Sequence, residues 1–486
     1  MKKHIIWVIA ALCTITVIGL VTTFSHQTLK ALPQFDLVDT FAGTGEKGFV
    51  GDGLNAFLAT FNNPVGVYAD NIGNVYVADI YNNRIRKIDM SMVMTTIAGS
   101  SEYGYYGDEM KALSAALAFP SGICVETINP RKKTANIYIV DTRNNRIRRI
   151  NRYGVITTIC GTGEYLYSGD RGPATKASLA WPNSCWLDNN GNLYIADTGN
   201  NVLRVIVSPK NTTHNADLIA GMTNNQEACQ PNYIYKIAGT GLKGYSSSGK
   251  PGDPGQEETP QYGMPRKISA IDVNLNQPFD LCVVYPNSGT NRNVTGDGNE
   301  RIYFSDTGNH IIRYIDAAGN VVRVAGLPGV PGYNGDILAA TNEKLRQPLG
   351  LWVDNQNEFL YVCDSGNRRI RVIAVNQQAA NDNGKANADS LNGPLAEARI
   401  KTLAGNGFFG FSGDGSDAKM ARLSRPMDIC GTQVRNFRYP DREVLYFSDM
   451  VNQRIRMIVM NARGGVHELE DDEPWPRQES SSSSGQ

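Results

Sequence analysis

Asp280 and Asp428 are the residues whose type and position best suit ligand chemistry. Each is the third residue of a segment that begins with proline and continues as an apolar strand, and Ser184 holds the corresponding place in a third segment. Carboxylate and hydroxyl oxygens can bind a hard cation or hydrogen-bond to a polar molecule. These three residues are therefore a candidate site for a cation or a small polar ligand.

The two acids depart from a repeat. Three related segments carry glycine in the same place, at Gly66, Gly122 and Gly350. The prolines that begin the six segments are Pro64, Pro120, Pro182, Pro278, Pro348 and Pro426. Because the acids occur in only two of the six segments, their distance from each other depends on how the repeated units are arranged.

A second phrase, Asp-x-x-Asn-x-x-(Ile/Leu)-Arg, follows each of these segments. Its aspartates are Asp79, Asp141, Asp197, Asp306, Asp364 and Asp449. Each copy lies between two strand patterns, which predicts a hairpin with the Asp and Asn side chains in its turn. Six equivalent aspartates cannot converge on one catalytic point, so we expect them to serve turn hydrogen bonding and packing. The repeated arginines are expected along the third strand, with their stems over apolar surface.

A third phrase, an apolar residue followed by Ala-Gly or Cys-Gly, ends each unit. Its glycines are Gly43, Gly99, Gly161, Gly239, Gly326 and Gly405. Each unit then has four strands, and stacking such sheets radially covers their faces and protects their edges. We therefore predict an all-β fold, a six-bladed β-propeller of four-stranded antiparallel blades over residues 37–460. The last unit lacks an outer strand and a spare one precedes the first unit, so an N-terminal strand is predicted to complete the last blade.

Several phrases resemble NHL repeats. They are Ala42–Gly45 (AGTG), Gly51–Gly53 (GDG), Asn83–Ile88 (NRIRKI) and Tyr194–Asn201 (YIADTGNN). The resemblance covers about residues 37–460 and implies a six-bladed NHL-type propeller. It implies no single function, because NHL propellers include receptor ectodomains, adhesion proteins, RNA-binding regulators and a few lyases.

The two ends of the chain differ from the repeats. Lys2 and Lys3 precede an uncharged run over residues 5–24, which predicts a signal peptide or an uncleaved signal-anchor, with a short linker to residue 35. Both alternatives make the protein secreted or anchored at the membrane, with the propeller on the extracellular or lumenal side. Contact with the membrane is then expected only through residues 5–24, if they are uncleaved. Residues 461–486 are acidic and serine-rich and predict a disordered tail.

Five further acids follow glycine in the connections that lead to inner strands. They are Asp52, Asp108, Asp170, Asp336 and Asp414. In a propeller these connections share one face, where the carboxylates could form a loose ring. These acids have two alternative roles, turn capping beside a glycine with positive φ or a contribution to calcium binding. No spacing of the acids resembles a dedicated calcium loop. Calcium is the one cofactor considered, and no metal ligand set is assigned.

In an exported protein, cysteines could form disulfides. Cys124, Cys185, Cys282 and Cys430 occupy equivalent repeat positions. We expect buried thiols, since equivalent positions on different blades should lie too far apart for a disulfide.

Asn211 and Asn293 begin N-glycosylation motifs within long insertions. Glycans at these two residues would crowd one face of the propeller and leave the opposite face for a partner.

Function is predicted at the level of a class. Lys+Arg 47 balances Asp+Glu 47 in 486 residues, so nucleic-acid binding is not expected. The histidines are scattered and no catalytic triad is legible, so no catalytic residue is assigned. The favoured hypothesis is a scaffold, transient or permanent in its contacts, that binds a protein or a glycan or peptide ligand through its face loops. The alternative is a metal-dependent lyase or lactonase-type hydrolase, with Asp280 and Asp428 at the channel mouth.

Overall fold

A computed structural model describes residues 36–126, 136–210, 229–246, 268–284, 301–354, 357–375, 399–432 and 442–460. These residues form six antiparallel sheets, and the innermost strand of each sheet contacts those of both neighbouring sheets around a closed ring. The prediction of an all-β, six-bladed propeller is confirmed.

The first three blades are built alike, from an inner to an outer strand. Blade one contains Pro64–Ala69, Val75–Asp79, Arg84–Ile88 and Met94–Ala98. Blade two contains Pro120–Val125, Ile137–Asp141, Arg146–Ile150 and Val155–Cys160. Blade three contains Ser184–Leu187, Leu193–Asp197, Val202–Ile206 and Tyr233–Ala238.

The other three blades follow the same order. Blade four contains Pro278–Val284, Arg301–Asp306, Ile311–Ile315 and Asn320–Ala325. Blade five contains Pro348–Val353, Phe359–Asp364, Arg369–Ala374 and Ile400–Ala404. Blade six contains Pro426–Thr432, Val444–Asp449 and Arg454–Val459, and its outer strand is Leu37–Ala42 from the other end of the chain.

The N-terminal strand closes the ring, as predicted. Leu37–Ala42 runs antiparallel to Arg454–Val459, with Leu37 opposite Val459 and Thr40 opposite Arg456. This pairing covers the edge of blade six that would otherwise expose unpaired backbone groups.

Four blades gain a short fifth strand that no sequence pattern indicated. The added strands are Met110–Lys111, Gly172–Pro173, Ile268–Ser269 and Ser416–Asp417, each paired with the outer strand of its blade. They come from the connections between blades, and a single 3-10 turn follows each. Those turns are Ala112–Ser114, Ala174–Lys176, Ala270–Asp272 and Ala418–Met420, and Ala56–Leu58 is their counterpart in blade one.

A 3-10 turn also joins the second and third strands of every blade. These turns are Ile80–Asn82, Thr142–Asn144, Thr198–Asn200, Thr307–Asn309, Ser365–Asn367 and Met450–Asn452. They lie at the same ends of the blades as the connections between blades, and the face formed by both is called the turn face here. Trp186 of blade three lies toward the ring centre, because it packs against apolar clusters that contain residues of blade one and of blades three to six.

The cysteine expectation is correct for burial but wrong for distance. Cys124, Cys160, Cys185, Cys229, Cys282, Cys363 and Cys430 are all buried and none forms a disulfide. However, the sulfurs of Cys124 and Cys185 lie 3.3 Å apart. Inner strands of neighbouring blades converge around the ring, so equivalent side chains can meet there although the outer strands diverge. Burial, with the contact to Cys185, raises the pKa of the Cys124 thiol.

Some predicted features lie outside the described residues. They are the export segment 1–35, the tail 461–486, and both Asn211 and Asn293. In the part of the chain that is described, no helix combines the length and the apolar character needed to cross a membrane.

Candidate binding sites in the channel and on the turn face

A buried Arg–Asp network underlies the turn face. Arg204 of blade three is 0% exposed, and its guanidinium lies between Asp170 at 2.6 Å and Asp197 at 3.5 Å. Asp197 also accepts hydrogen bonds from Asn200 Nδ2 and the Ala180 backbone N–H, both at 2.8 Å. The turn role expected for the repeated aspartates is therefore confirmed.

The expectation for the repeated arginines is wrong in one respect. The whole side chain is buried, not only its stem, in Arg86, Arg148, Arg204, Arg313, Arg371 and Arg456. In each repeat the Asp and the Arg are seven residues apart, which places them on adjacent strands with both side chains on the same side of the sheet. Burial raises the pKa of Asp141 to about 6, because the hydrogen bonds from Ala118 and Asn144 and the charge of Arg148 only partly offset it.

The five Gly-Asp carboxylates each pair with the buried arginine of their own blade. The pairs are Asp52–Arg86 at 2.9 Å, Asp108–Arg148 at 2.6 Å, Asp170–Arg204 at 2.6 Å, Asp336–Arg371 at 2.9 Å and Asp414–Arg456 at 2.7 Å. Burial alone would raise the pKa of Asp108, but hydrogen bonds from Thr158 and Tyr105 and the charge of Arg148 outweigh it and lower the pKa. The described residues include no cluster of three or more acids, histidines or cysteines suited to a metal ion. Calcium binding by these five acids stays a prediction.

Ser184 and Asp280 are brought together in the channel wall. Ser184 Oγ donates to Asp280 Oδ1 at 2.5 Å, and the Leu351 backbone N–H donates to Asp280 Oδ2 at 2.8 Å. Asp280 thus joins the inner strands of blades three, four and five. Asp428 acts similarly between blades six and one, since its Oδ2 accepts from the Val67 N–H at 2.9 Å.

The two acids lie on either side of the inner strand of blade five. A Cβ added to Gly350 of that strand would lie 2.6 Å from Asp428 Oδ1, while the next residue, Leu351, donates to Asp280. Burial raises the pKa of Asp280 to about 6, and burial together with the charge of Asp280 raises that of Asp428 well above its usual range. A cation or a shared proton would relieve this repulsion, so the pair remains a candidate ligand site.

A strip of aromatic side chains crosses the turn face over blades one to three. This aromatic strip consists of Tyr81, Tyr103, Phe119, Arg143, Tyr165 and Trp181. The Phe119 ring centroid lies 4.9 Å from that of Tyr81 and 5.5 Å from that of Tyr103, both edge to face. Arg143 Cζ lies 4.4 Å from the Trp181 ring centroid and 5.9 Å from that of Phe119. The rings of Tyr165 and Trp181 continue the strip at 4.8 Å.

Sequence reasoning missed this strip, although a signal was present. Phe119 and Trp181 immediately precede the prolines that begin inner segments, where the other four blades carry Asn63, Gln277, Gln347 and Arg425. All six residues have positive φ, and the values for Phe119 and Trp181 are 47° and 42°. Bulky side chains are unusual in this backbone conformation, whereas asparagine tolerates it. Aromatic residues at these two positions therefore depart from the repeat at a cost.

The fold and site together define a six-bladed propeller whose blades carry a buried Asp–Arg network. The family model for the NHL repeat matches residues 61–88, which span the first three strands of blade one. The chain is therefore a six-bladed β-propeller that carries an NHL repeat in blade one.

Relatives share the repeat region at low identity. NHL repeat-containing protein 2 of Bos taurus is 23% identical over 366 residues, covering 71% of this chain and 44% of that protein. Teneurin-4 of Homo sapiens is 26% identical over 340 residues, covering 64% of this chain and 10% of that protein. Protein SUPPRESSOR OF QUENCHING 1, chloroplastic, of Arabidopsis thaliana is 26% identical over 340 residues, covering 69% and 27%. The chain thus spans less than half of the length of each of these relatives.

A solved structure shows the same fold. It is an auxiliary nutrient binding protein from Bacteroides ovatus, 15% identical, with a TM-score of 0.50 over 87% of this chain and 77% of that one. At this identity the likeness concerns the fold alone.

The described residues contain one histidine, His310, and its Nδ1 accepts a hydrogen bond from the Gln347 N–H at 3.2 Å. The lyase or hydrolase alternative is not favoured.

Proposed function

We propose that this propeller is an exported or membrane-tethered binding scaffold whose aromatic strip binds a protein partner. The supporting observation is the strip itself, in which aromatic rings and one exposed guanidinium form a continuous surface across three blades. Trp, Tyr and Arg are the residue types that dominate binding energy in protein interfaces. In the strip, Trp181 is 41% exposed, Tyr165 53% and Tyr103 63%.

The backbone beneath the strip supports a binding role. A sparsely populated φ/ψ region costs about 1–3 kcal/mol per residue, and such strain clusters at functional sites. The other four blades carry no aromatic residue at this position, so the framework does not require one in blades two and three. A partner that buries both rings would offset the cost.

The strip is also held rigidly, which lowers the entropy lost on binding. The Phe119 N–H donates to Asn83 Oδ1 at 3.1 Å, and the Trp181 N–H donates to Asn145 Oδ1 at 2.9 Å. Each of these bonds ties a strip residue to the neighbouring blade. Rigid aromatic anchors beside an adaptable Arg143 fit a protein surface better than a flexible loop would.

The test compares captured partners between matched variants of the full chain. The double variant Arg143→Ala, Trp181→Ala removes the centre of the strip. The control Tyr153→Ala removes an exposed tyrosine between the third and fourth strands of blade two, away from the turn face. Wild type and Tyr153→Ala should capture the same cell-surface or secreted protein, and the double variant should lose it. Equal capture by all three proteins would contradict the proposal.

A further inference from the structure

We propose that the seam between blades one and two contains a separate site, a groove that binds a neutral carbohydrate residue. The groove lies near the outer strand of blade one, and its residues are not those of the aromatic strip. The argument starts from a comparison of equivalent arginines within this one chain.

The first residue of the third strand is arginine in four blades, and three of these arginines are hydrogen-bonded within the fold. Arg146 donates to the carbonyl oxygens of Asn144 at 3.0 Å and Thr162 at 2.5 Å. Arg369 and Arg454 make the same pair of bonds, to Asn367 and Asn406 and to Asn452 and Thr44. The common position of this side chain therefore satisfies the guanidinium with backbone acceptors.

That position requires glycine in the loop after the outer strand. A Cβ added to Gly163, Gly407 or Gly45 would lie 2.2, 2.4 or 2.1 Å from Nη1 of the arginine concerned. In blade one the corresponding residue is Ser101, which has the same positive φ, 81°, but carries a side chain. Arg84 consequently cannot take the position of its three counterparts.

Two nitrogens of the displaced guanidinium are left without acceptors. Arg84 Nε and Nη1 are buried with no hydrogen-bond partner, and so are Thr96 Oγ1 and Ser100 Oγ. Arg84 instead stacks on Phe49, with its Cζ 3.4 Å from the ring centroid. These residues line an open groove of about 640 Å³, together with Glu102 and Tyr106.

The lining favours a polyhydroxyl ligand. Arg84 can only donate hydrogen bonds, ionised Glu102 can only accept them, and the two hydroxyl groups can do either. Sugar hydroxyls both donate and accept, so a pyranose suits a lining that contains both donors and acceptors, and Tyr106, 58% exposed, offers a flat surface to its ring. An anion would meet the carboxylates of Glu102 and Asp52 in the same groove, and an apolar ligand would leave the buried polar atoms unpaired.

The test uses the full chain and ligand-observed NMR. The probes are glucose, galactose, mannose, N-acetylglucosamine and their β-linked disaccharides, with inorganic phosphate and acetate as anionic probes. We expect saturation transfer to ring protons of at least one sugar. Arg84→Met should weaken that binding by at least about tenfold, whereas Arg146→Met, the matched control in blade two, should not.

Ser101→Gly provides a test that does not endanger folding, since glycine suits the positive φ at this position. It should let Arg84 return to the backbone carbonyls and weaken sugar binding while thermal stability is maintained or increased. The site is refuted if no sugar shows saturation transfer, if Ser101→Gly and Arg84→Met bind sugar as wild type does, or if only the anions bind. A Trp181 variant should bind sugar normally, which separates this site from the proposed partner surface.

Discussion

Gln453 and Asn63, 390 residues apart, form a reciprocal pair at the junction of blades six and one. Gln453 Oε1 accepts the Asn63 N–H at 2.6 Å, and Gln453 Nε2 donates to Asn63 Oδ1 at 2.9 Å. The same backbone contact occurs at four other junctions, made by Asn83, Asn145, Asn201 and His310. The ring-closing junction is therefore held by the bond that joins consecutive blades elsewhere.

Removing this pair should loosen the closure. We expect Gln453→Ala to lower the free energy of unfolding by about 1–2 kcal/mol, because it leaves the Asn63 N–H without its acceptor. Denaturant unfolding checks the value, and Asn189→Ala, at an exposed turn residue, serves as the control. Equal stability of both variants would show that the closing strand Leu37–Ala42 alone holds the ring.

The buried arginines should be intolerant of neutral replacement. Arg204→Met leaves Asp197 buried without a counter-charge, and breaking a buried pair in this way costs about 3–5 kcal/mol. The exposed Arg152→Met is the matched control and should stay within about 0.5 kcal/mol of wild type. Adding Asp197→Asn to Arg204→Met should recover part of the loss, and no recovery would mean that packing, not charge, explains the cost.

Because of the buried channel acid Asp280, we expect the free energy of unfolding to fall as the pH rises. The pKa of Asp280 is raised from 3.8 to about 6, so the folded state binds this proton more tightly than the unfolded state does. The stabilising contribution of this proton is therefore fully present below about pH 4 and is lost progressively as the pH rises to about 6. Asp280→Asn should make the decline of unfolding free energy over this range shallower. The exposed Asp272→Asn should keep the wild-type slope, and an unchanged slope in Asp280→Asn would contradict the prediction.

Cys124 and Cys185 should form a disulfide when the protein refolds with oxidised glutathione. Two thiols would lose two protons and two electrons, and one oxidised glutathione would become two reduced molecules. Thiol titration after unfolding should then show two fewer free thiols than in the reduced protein. Cys185→Ser should abolish the difference and Cys160→Ser should not, whereas full titration of the refolded wild type would count against the pairing.

Trp181 should be replaceable with a gain in stability and a loss of binding. Trp181→Asn places at this position the residue type that blade one carries at Asn63, and relief of the left-handed strain should raise the unfolding free energy by about 1 kcal/mol. Thermal unfolding measures the gain, and the capture assay measures the loss of the partner. A destabilised variant would show that the ring contributes more to packing than its backbone costs.

The sequence by itself determined the number of blades, the order of strands and the closing strand near Val38. These follow from patterns within one unit, because strand alternation and turn residues are local and repeat six times. The seven-residue spacing of Asp197 and Arg204 is equally local. The burial of these two side chains is not local, because it depends on the connection that carries Asp170.

Only the tertiary structure decided which copies of a repeated residue make contacts that the other copies do not. The contact of Cys124 with Cys185, the approach of Asp280 and Asp428 across blade five, and the aromatic strip all join residues from different blades. Arg84 occupies the same place in its repeat as its three counterparts, and only the structure shows that two of its guanidinium nitrogens lack acceptors in the blade where Ser101 replaces glycine. Contacts between units depend on the curvature of the ring, and no single repeat contains that information.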